Sequence, residues 1–453
     1  MDKCFYRRGK VSLSGTILAV GIFLLTAVRG IGQTSNNSIY RLTIAEAIEF
    51  SKSQNKWVQT ANMEVNAVNE DRKDVIRAKL PTVNVNGSYQ RFSGLTLFTD
   101  GLSHATTGER KPTSNSAALG IDALFNIYGG GRQHASEQEQ HLRVNLARLN
   151  AQDQSGNIAL QTATQYLNLV KLNDLEKFLA DQLNRAQVRL NNINALYRNQ
   201  KVTRSDVLRA EVSLSNVELS LEQNENDIAI ANQHLDVLLN VPDSVVIIPA
   251  DSAGMTKPEV SSLLQLAQSA EVSSYTVQKA ATGVEIQATK LRSIRSSNLP
   301  NVSFYAAYGL NYPNYLFFPP VNQAYSVGFV GLKAQYSISS LYHNKSKMAA
   351  ARIRVKEAEI QREAYADNVR LDVRSHYVKY AEALRRIEVN EHSVEQAEVN
   401  YRIVNNKYLN QLALLTDLLD ADNLYQESRF NLIKAQTDAL NIYYHIRYAS
   451  GNL

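Results

Sequence analysis

The residues able to do covalent or metal chemistry are few and badly spaced for it. Eight histidines are scattered through 453 residues, with no His-x-His or His-Glu-x-x-His spacing, and neither a nucleophile elbow nor a redox pair occurs. The single cysteine, Cys4, stands at the start of the chain, so disulfides and cysteine metal sites are not expected. Gly129, Gly130 and Gly131 precede a helical pattern, as in a phosphate cradle, but Arg132 stands where Gly-Lys-Ser/Thr spacing would be needed. They read as a tight turn. No catalytic residue, metal or cofactor is expected. What remains is charge. Asp417 and Asp420 lie at i and i+3, on one face of a helix, and crowded carboxylates of this kind bind cations and raise one another's pKa. Asp206 and Asp417 each also follow a break in a helical pattern, where a carboxylate favours the positive end of the helix dipole. That second role fits Asp420 poorly, because it already sits a turn inside.

The elements that position these acids are two copies of one segment. YRNQKVTRSDVLRAE, from Tyr197 to Glu211, returns as YLNQLALLTDLLDAD, from Tyr408 to Asp422. Tyr197/Tyr408, Asn199/Asn410, Gln200/Gln411, Asp206/Asp417, Leu208/Leu419 and Ala210/Ala421 are identical pairs. Each copy interrupts a long helical pattern with a short polar turn and then resumes it with the apolar phase intact. Two antiparallel helical hairpins follow, with turns at about 198–206 and about 409–417. Duplication this far apart favours one architecture of two structural repeats over several globular domains.

Composition agrees. Only nine prolines occur, and 23 tyrosines accompany a single tryptophan, which suits long helices with an aromatic-rich minority element. The net charge of +5 does not point to nucleic acid. Lys3, Arg7, Arg8, Lys10 and Arg29 against Asp2 account for about +4 of it. Residues 1–32 read as a secretory signal peptide, with a basic start, an apolar run near Ile17 to Val28, and Gly30 and Gly32 before the expected cleavage. No later stretch is apolar enough for a transmembrane helix, so a membrane-embedded portion would have to be a β-barrel.

Along the chain, helical spacing from Ile44 stops at Pro81. A strand follows at about 82–92, where Val83, Val85, Gly87 and Tyr89 alternate with Asn84, Asn86 and Ser88. A loop to about 116 leads to a second strand at 116–128. A coiled-coil-like helix then runs from about Arg132 to Tyr197, some 100 Å at 1.5 Å per residue. It returns from Ser205 to about Asn240, and a Pro/Asp/Ser segment to about Val260 links the halves. The first repeat is expected over 33–250 and the second over 251–453, where the order recurs with strands at 301–312 and 325–336. Aromatics crowd the second pair, including Tyr312, Tyr315, Phe317, Phe318, Tyr325 and Phe329, as in the interfacial girdle of an outer-membrane barrel. Val83, Val85, Tyr89, Val302, Phe304 and Tyr308 are the expected lipid-facing positions. Four strands cannot close a membrane barrel alone. Oligomerisation must complete it.

LTIAEAIEFSKSQN, RAKLPTVNVNGSY, NIYGGGR and the turns ending SDVLRAE and TDLLDAD resemble signatures of the TolC-type outer-membrane efflux protein family. The resemblance implies a mainly α fold with a membrane β-barrel portion: a homotrimer with a 12-stranded barrel continuing into a long α-helical periplasmic tunnel. It implies an outer-membrane channel for efflux or type I secretion, working with a periplasmic adaptor and an inner-membrane RND or ABC transporter. A periplasmic scaffold or adaptor without a pore is the alternative. By the same resemblance, Asp417 and Asp420 would line the closed aperture, and Tyr408 with Asp206 would form a closing contact at the tip. Asn199, Gln200, Val202, Thr203, Asn410, Gln411, Leu412 and Leu414 would dock the adaptor. Two positions depart from the family pattern: glycines are common where Gln200 and Gln411 stand, and a basic residue of some members is Ala413 here.

Overall fold

A computed structural model describes residues 39–93, 98, 101–103, 113–252, 270–314, 316 and 321–453. The expected signal peptide, and Tyr315, Phe317 and Phe318 of the aromatic group, lie outside these residues. Two very long helices dominate the chain. Helix α3 (Arg132–Arg198) has 67 residues and α6 (Ser340–Leu409) has 70, each about 100 Å long at helical rise. Each folds back into a shorter partner, α3 into α4 (Arg204–Leu239) and α6 into α7 (Leu415–Ala449). Three shorter helices, α1 (Ile44–Gln54), α2 (Lys56–Arg77) and α5 (Tyr275–Ser296), complete the described set.

One antiparallel sheet carries strands β2 (Thr82–Arg91), β3 (Asn115–Tyr128), β5 (Asn301–Tyr312) and β6 (Tyr325–Gln335), in the order β2-β3-β5-β6. Its register sets side chains of like polarity side by side. Val85 pairs with Ile121, Ile121 with Tyr308, and Tyr308 with Gly328. Because side chains alternate with period two, Val83, Val85, Tyr89, Val302, Phe304 and Tyr308 fall on one face together with Leu119, Ile121, Val330 and Leu332. Among the described residues that face has no packing partner; Val85 is 74% exposed and Val330 74%. The opposite face is polar on its β2–β3 side, where Asn84 donates to Asp122 at 3.0 Å and Asn86 donates to the same carboxylate. On its β5–β6 side, Tyr305 and Phe329 meet edge to face, with centroids 5.8 Å apart. The expected polar lining is therefore incomplete there. Tyrosines also cover the glycines of β6, Tyr305 over Gly331 and Tyr308 over Gly328, so the sheet stays packed where β6 lacks side chains.

Helices continue the order of the sheet. Near the strands α2 packs on α3, α3 on α5 and α5 on α6; nearer the hairpin turns α4 packs on α3, α3 on α7 and α7 on α6. The strand-to-helix junction depends on Gly130. Its φ is +64°, and a Cβ there would lie 2.7 Å from Leu299 and still closer to the Ser296 carbonyl oxygen. The tight turn expected at Gly129–Gly131 is thus also a point of close approach, where β3 and α3 are locked to the end of α5.

Two features depart from the sequence reading. The helical pattern between Ile44 and Leu80 is broken at Asn55, whose side chain accepts from Trp57 N–H at 2.9 Å and donates to the Leu238 carbonyl at 2.9 Å. The segment joining the halves is not purely a linker. It contains β4 (Val246–Pro249), which pairs in parallel with β1 (Ile39–Leu42), and Asp251 just beyond accepts from Ile44 N–H and from the Tyr166 hydroxyl, both at 2.8 Å.

Gly130→Ala should weaken the assembled state by about 1–3 kcal/mol, from the left-handed backbone and the collision together. Gly283→Ala, in α5 with open space around it, should be neutral or stabilising by up to about 1 kcal/mol. Heat-induced gel mobility shifts of the two variants make the comparison.

Candidate functional site: the helical tip

Both hairpin turns are built identically. The N–H of Gln200 bonds to the Tyr197 carbonyl at 2.8 Å and that of Lys201 to the Leu196 carbonyl at 2.9 Å; Gln411 and Leu412 repeat this with Tyr408 at 2.9 Å and Lys407 at 2.8 Å. This paired pattern closes a helix through a left-handed residue. Gln200 and Gln411 occupy that conformation, with φ of 58° and 62°. It is the backbone state that glycine adopts without strain, which explains why glycine is the common choice at this place and why glutamine is tolerated only with some strain. Asn199 and Asn410 reinforce the ends, each donating 2.8 Å to the carbonyl four residues back.

The returning helices begin with carboxylates. Asp206 accepts from Thr203 N–H at 2.9 Å and from its hydroxyl at 2.7 Å, while Asp206 N–H donates back to the Thr203 hydroxyl at 3.3 Å. Asp417 accepts from Leu414 N–H at 3.0 Å. Both therefore stabilise helix starts. Asp417 and Asp420 are exposed, on the side of α7 away from buried Leu415, Leu418 and Asp422. Leu412 and Leu414 are also exposed, at 76% and 70%, Thr203 is open to solvent, and Val202 is half-buried. Tyr408 is buried among Ile193, Val207, Ala210, Leu415 and Leu418. Its hydroxyl has no hydrogen-bond partner among the described residues. Burial, and then the nearby charge of Asp206, push its pKa up, but Asp206 directs its carboxylate to Thr203. The two are neighbours and not a hydrogen-bonded pair within one chain.

Sequence reasoning missed the strongest electrostatic feature of the tip. Asp422, 2% exposed, pairs with Arg189, 7% exposed, tying α7 to α3. Arg185 Nε lies 3.7 Å from the other Asp422 oxygen, and its guanidinium stands 5.7, 5.8 and 5.7 Å from the ring centroids of Phe178, Tyr401 and Tyr425. The signal was present in the helical phase. Leu415, Leu418 and Asp422 follow at i, i+3 and i+7, so Asp422 is an acid on the apolar face; Arg189 likewise interrupts the seam of Ala186 and Ile193.

The geometry is thus a long double hairpin with a charged, exposed tip, joined to an open four-stranded sheet with one apolar face. Residues 48–241 match the family model described as outer membrane efflux protein. Over these residues the chain is similar to outer membrane efflux proteins. Solved structures extend the likeness over the whole fold. The outer-membrane channel OprN shares 17% identity with a TM-score of 0.74, each chain covered to 90%. The outer membrane protein VceC of Vibrio cholerae shares 16%, with a TM-score of 0.72 over 90% of this chain and 96% of that one. CusC shares 13%, with a TM-score of 0.75 over 91% and 92%. No curated protein matches the chain in sequence. At these identities the structures speak for the fold, whereas the roles of individual tip residues rest on their own geometry.

Removing one member of the buried pair should be worse than removing both. Asp422→Leu or Arg189→Leu alone leaves an uncompensated buried charge and should lower stability by about 3–5 kcal/mol, while the double substitution should recover most of that loss. Thermal unfolding of the three variants measures the coupling.

Proposed function

We propose that this chain is the outer-membrane channel of a tripartite efflux or type I secretion system, passively conducting substrate handed to it from the inner membrane. The observation that carries the reading is the open sheet. Its apolar face is continuous across four strands and exposed, and it joins directly to helices about 100 Å long. A scaffold confined to the periplasm would have no use for such a face. Among the described residues no helix is long and apolar enough to cross a membrane, so the sheet is the part suited to lipid.

Three copies supply twelve strands, and an even, antiparallel ring leaves no edge. The polar face with Asn84, Asn86 and Asp122 then lines the lumen, and Val83, Val85, Tyr89, Val302, Phe304 and Tyr308 face lipid. Residues 33–250 and 251–453 act as the two repeats of each copy. The hairpin turns reach into the periplasm, where exposed Leu412 and Leu414, with Asn199, Gln200, Val202, Thr203, Asn410 and Gln411, offer the docking surface for a periplasmic adaptor and through it an RND or ABC transporter. Asp417 and Asp420 of three copies converge as six carboxylates at the aperture, next to the Tyr408–Asp206 neighbourhood.

The membrane assignment is tested by paired substitutions. Val85→Arg should impair barrel assembly by about 2–4 kcal/mol if near the midplane, while Asn84→Arg, beside Asp122 on the other face, should assemble and change conductance. Equal tolerance of the two would overturn the assigned faces. The aperture is tested in planar bilayers. Wild-type channels should be cation-selective and blocked by divalent or trivalent cations when closed, and Asp417→Ala/Asp420→Ala should lose both properties. Unchanged block would remove these residues from the constriction.

A further inference from the structure

The sheet meets the helices at four junctions: α2 runs into β2, β3 into α3, α5 into β5 and β6 into α6. Charge there has one sign only. Residues 75–81 carry Arg77 and Lys79, and residues 129–136 carry Arg132. Residues 290–300 carry Lys290, Arg292 and Arg295, and residues 336–347 carry Lys345 and Lys347. None of the four stretches contains an Asp or Glu; the nearest acids on the helices are Asp74, Glu137, Glu285 and Glu357. All of these bases except Lys290 are exposed. Among the described residues only Lys79 is in a salt bridge, with Glu137 at 2.8 Å.

Helix polarity does not account for this. Cations favour the C-terminal end of a helix, which suits Arg77 and Arg295 at the ends of α2 and α5. Helices α3 and α6 instead begin at the junction, where acids are favoured, and neither has an acid in its first turn. Arg132 opens α3, and Lys345 and Lys347 stand in the second turn of α6. The bases follow the level of the junction, whichever end of a helix lies there. Apolar side chains share that level. Leu80, Leu299, Ile338, Leu341 and Tyr342 are all exposed, Ile338 to 70% and Tyr342 to 67%. Long bases beside exposed apolar and aromatic side chains are the chemistry of a membrane–water boundary.

We infer that the junction is a collar that binds anionic phospholipid of the periplasmic leaflet, its bases on the headgroup phosphates and Leu80, Ile338 and Tyr342 at the acyl boundary. The inference rests on the membrane reading of the sheet given above. It adds the class of lipid and the level at which the chain sits in the bilayer. An anionic leaflet attracts each Lys or Arg held at its surface, and the attraction fades within a screening length. Bases confined to the lumen would miss the lipid, but Lys345 and Lys347 are two residues apart, about 200° around α6. They therefore lie on different sides of the helix.

Lipid retention tests the collar. The chain is reconstituted in vesicles of phosphatidylcholine with a minor share of phosphatidylglycerol, extracted in mild detergent, and weighed with the lipid it keeps. Wild type should keep phosphatidylglycerol in preference to phosphatidylcholine, and the preference should shrink when salt is raised from about 0.1 M to about 1 M. Arg132→Gln/Arg295→Gln/Lys345→Gln should lose it, by about fivefold for each base that reached a headgroup, whereas Arg132→Lys/Arg295→Lys/Lys345→Arg should keep it. Lys201→Gln, at the far hairpin turn, should change nothing. Equal retention of the two lipids by wild type, or an unchanged preference in the Gln variant, overturns the collar. Full competition by soluble glycerol phosphate also overturns it, because the site would then serve free phosphate. The wild-type preference and its salt dependence need no variant to fold. A wild-type chain that inserts into neither these vesicles nor pure phosphatidylcholine overturns the membrane reading and the collar together, while an inserted channel without lipid preference overturns the collar alone.

Discussion

Lipid offers no hydrogen bonds. Strands β2 and β6 each expose one row of backbone N–H and C=O groups that nothing else in the described chain satisfies, and each such group would cost several kcal/mol inside a bilayer. Closure of the sheet by further copies is the only arrangement that removes the penalty without losing the apolar face. Most other features follow from this. The copies must meet along both edges of the sheet, the helices below inherit the same edges, and the joint between strand and helix must hold its angle. Gly130, pressed against the end of α5, provides that rigidity.

The features legible in the sequence are those whose periodicity is local. Val83, Val85, Gly87 and Tyr89 alternate without a break, and the coiled-coil-like spacing from about Arg132 to Tyr197 continues for many turns, so strand pairs and long helices were visible in the sequence. The tip acids were visible too, because the segment around them occurs twice. What escaped depends on partners far away in the chain. Strands β1 and β4 are four residues each and pair across some 200 positions, too short to show a pattern. Asn55 looks like any polar helix residue until the Leu238 carbonyl stands in front of it. Arg189 and Asp422 look like a defect in two apolar stripes, and only their juxtaposition turns two unfavourable burials into one satisfied pair.

That pair also ties the two hairpins to each other. The α3–α4 and α6–α7 hairpins share the buried cluster of Ile193, Val207, Tyr408, Leu415 and Leu418, and the charged tie from α7 to α3 lies above it. Separating the hairpins would expose this cluster and strand two charges in low dielectric.

The tip acids show how a capping carboxylate can stay open to solvent. As read from sequence, Asp417 was either a cap on a helix start or a charge facing the axis. Its hydrogen bond to Leu414 N–H uses only Oδ2, and the side chain remains exposed. A cap of this kind fixes the rotamer. Asp420 has no cap to make and lies on the same helix face one turn later. Capping thus holds the first charge of the pair in place, and the helix places the second beside it. The local stabilisation and the exposed pair of charges are consequences of one geometry.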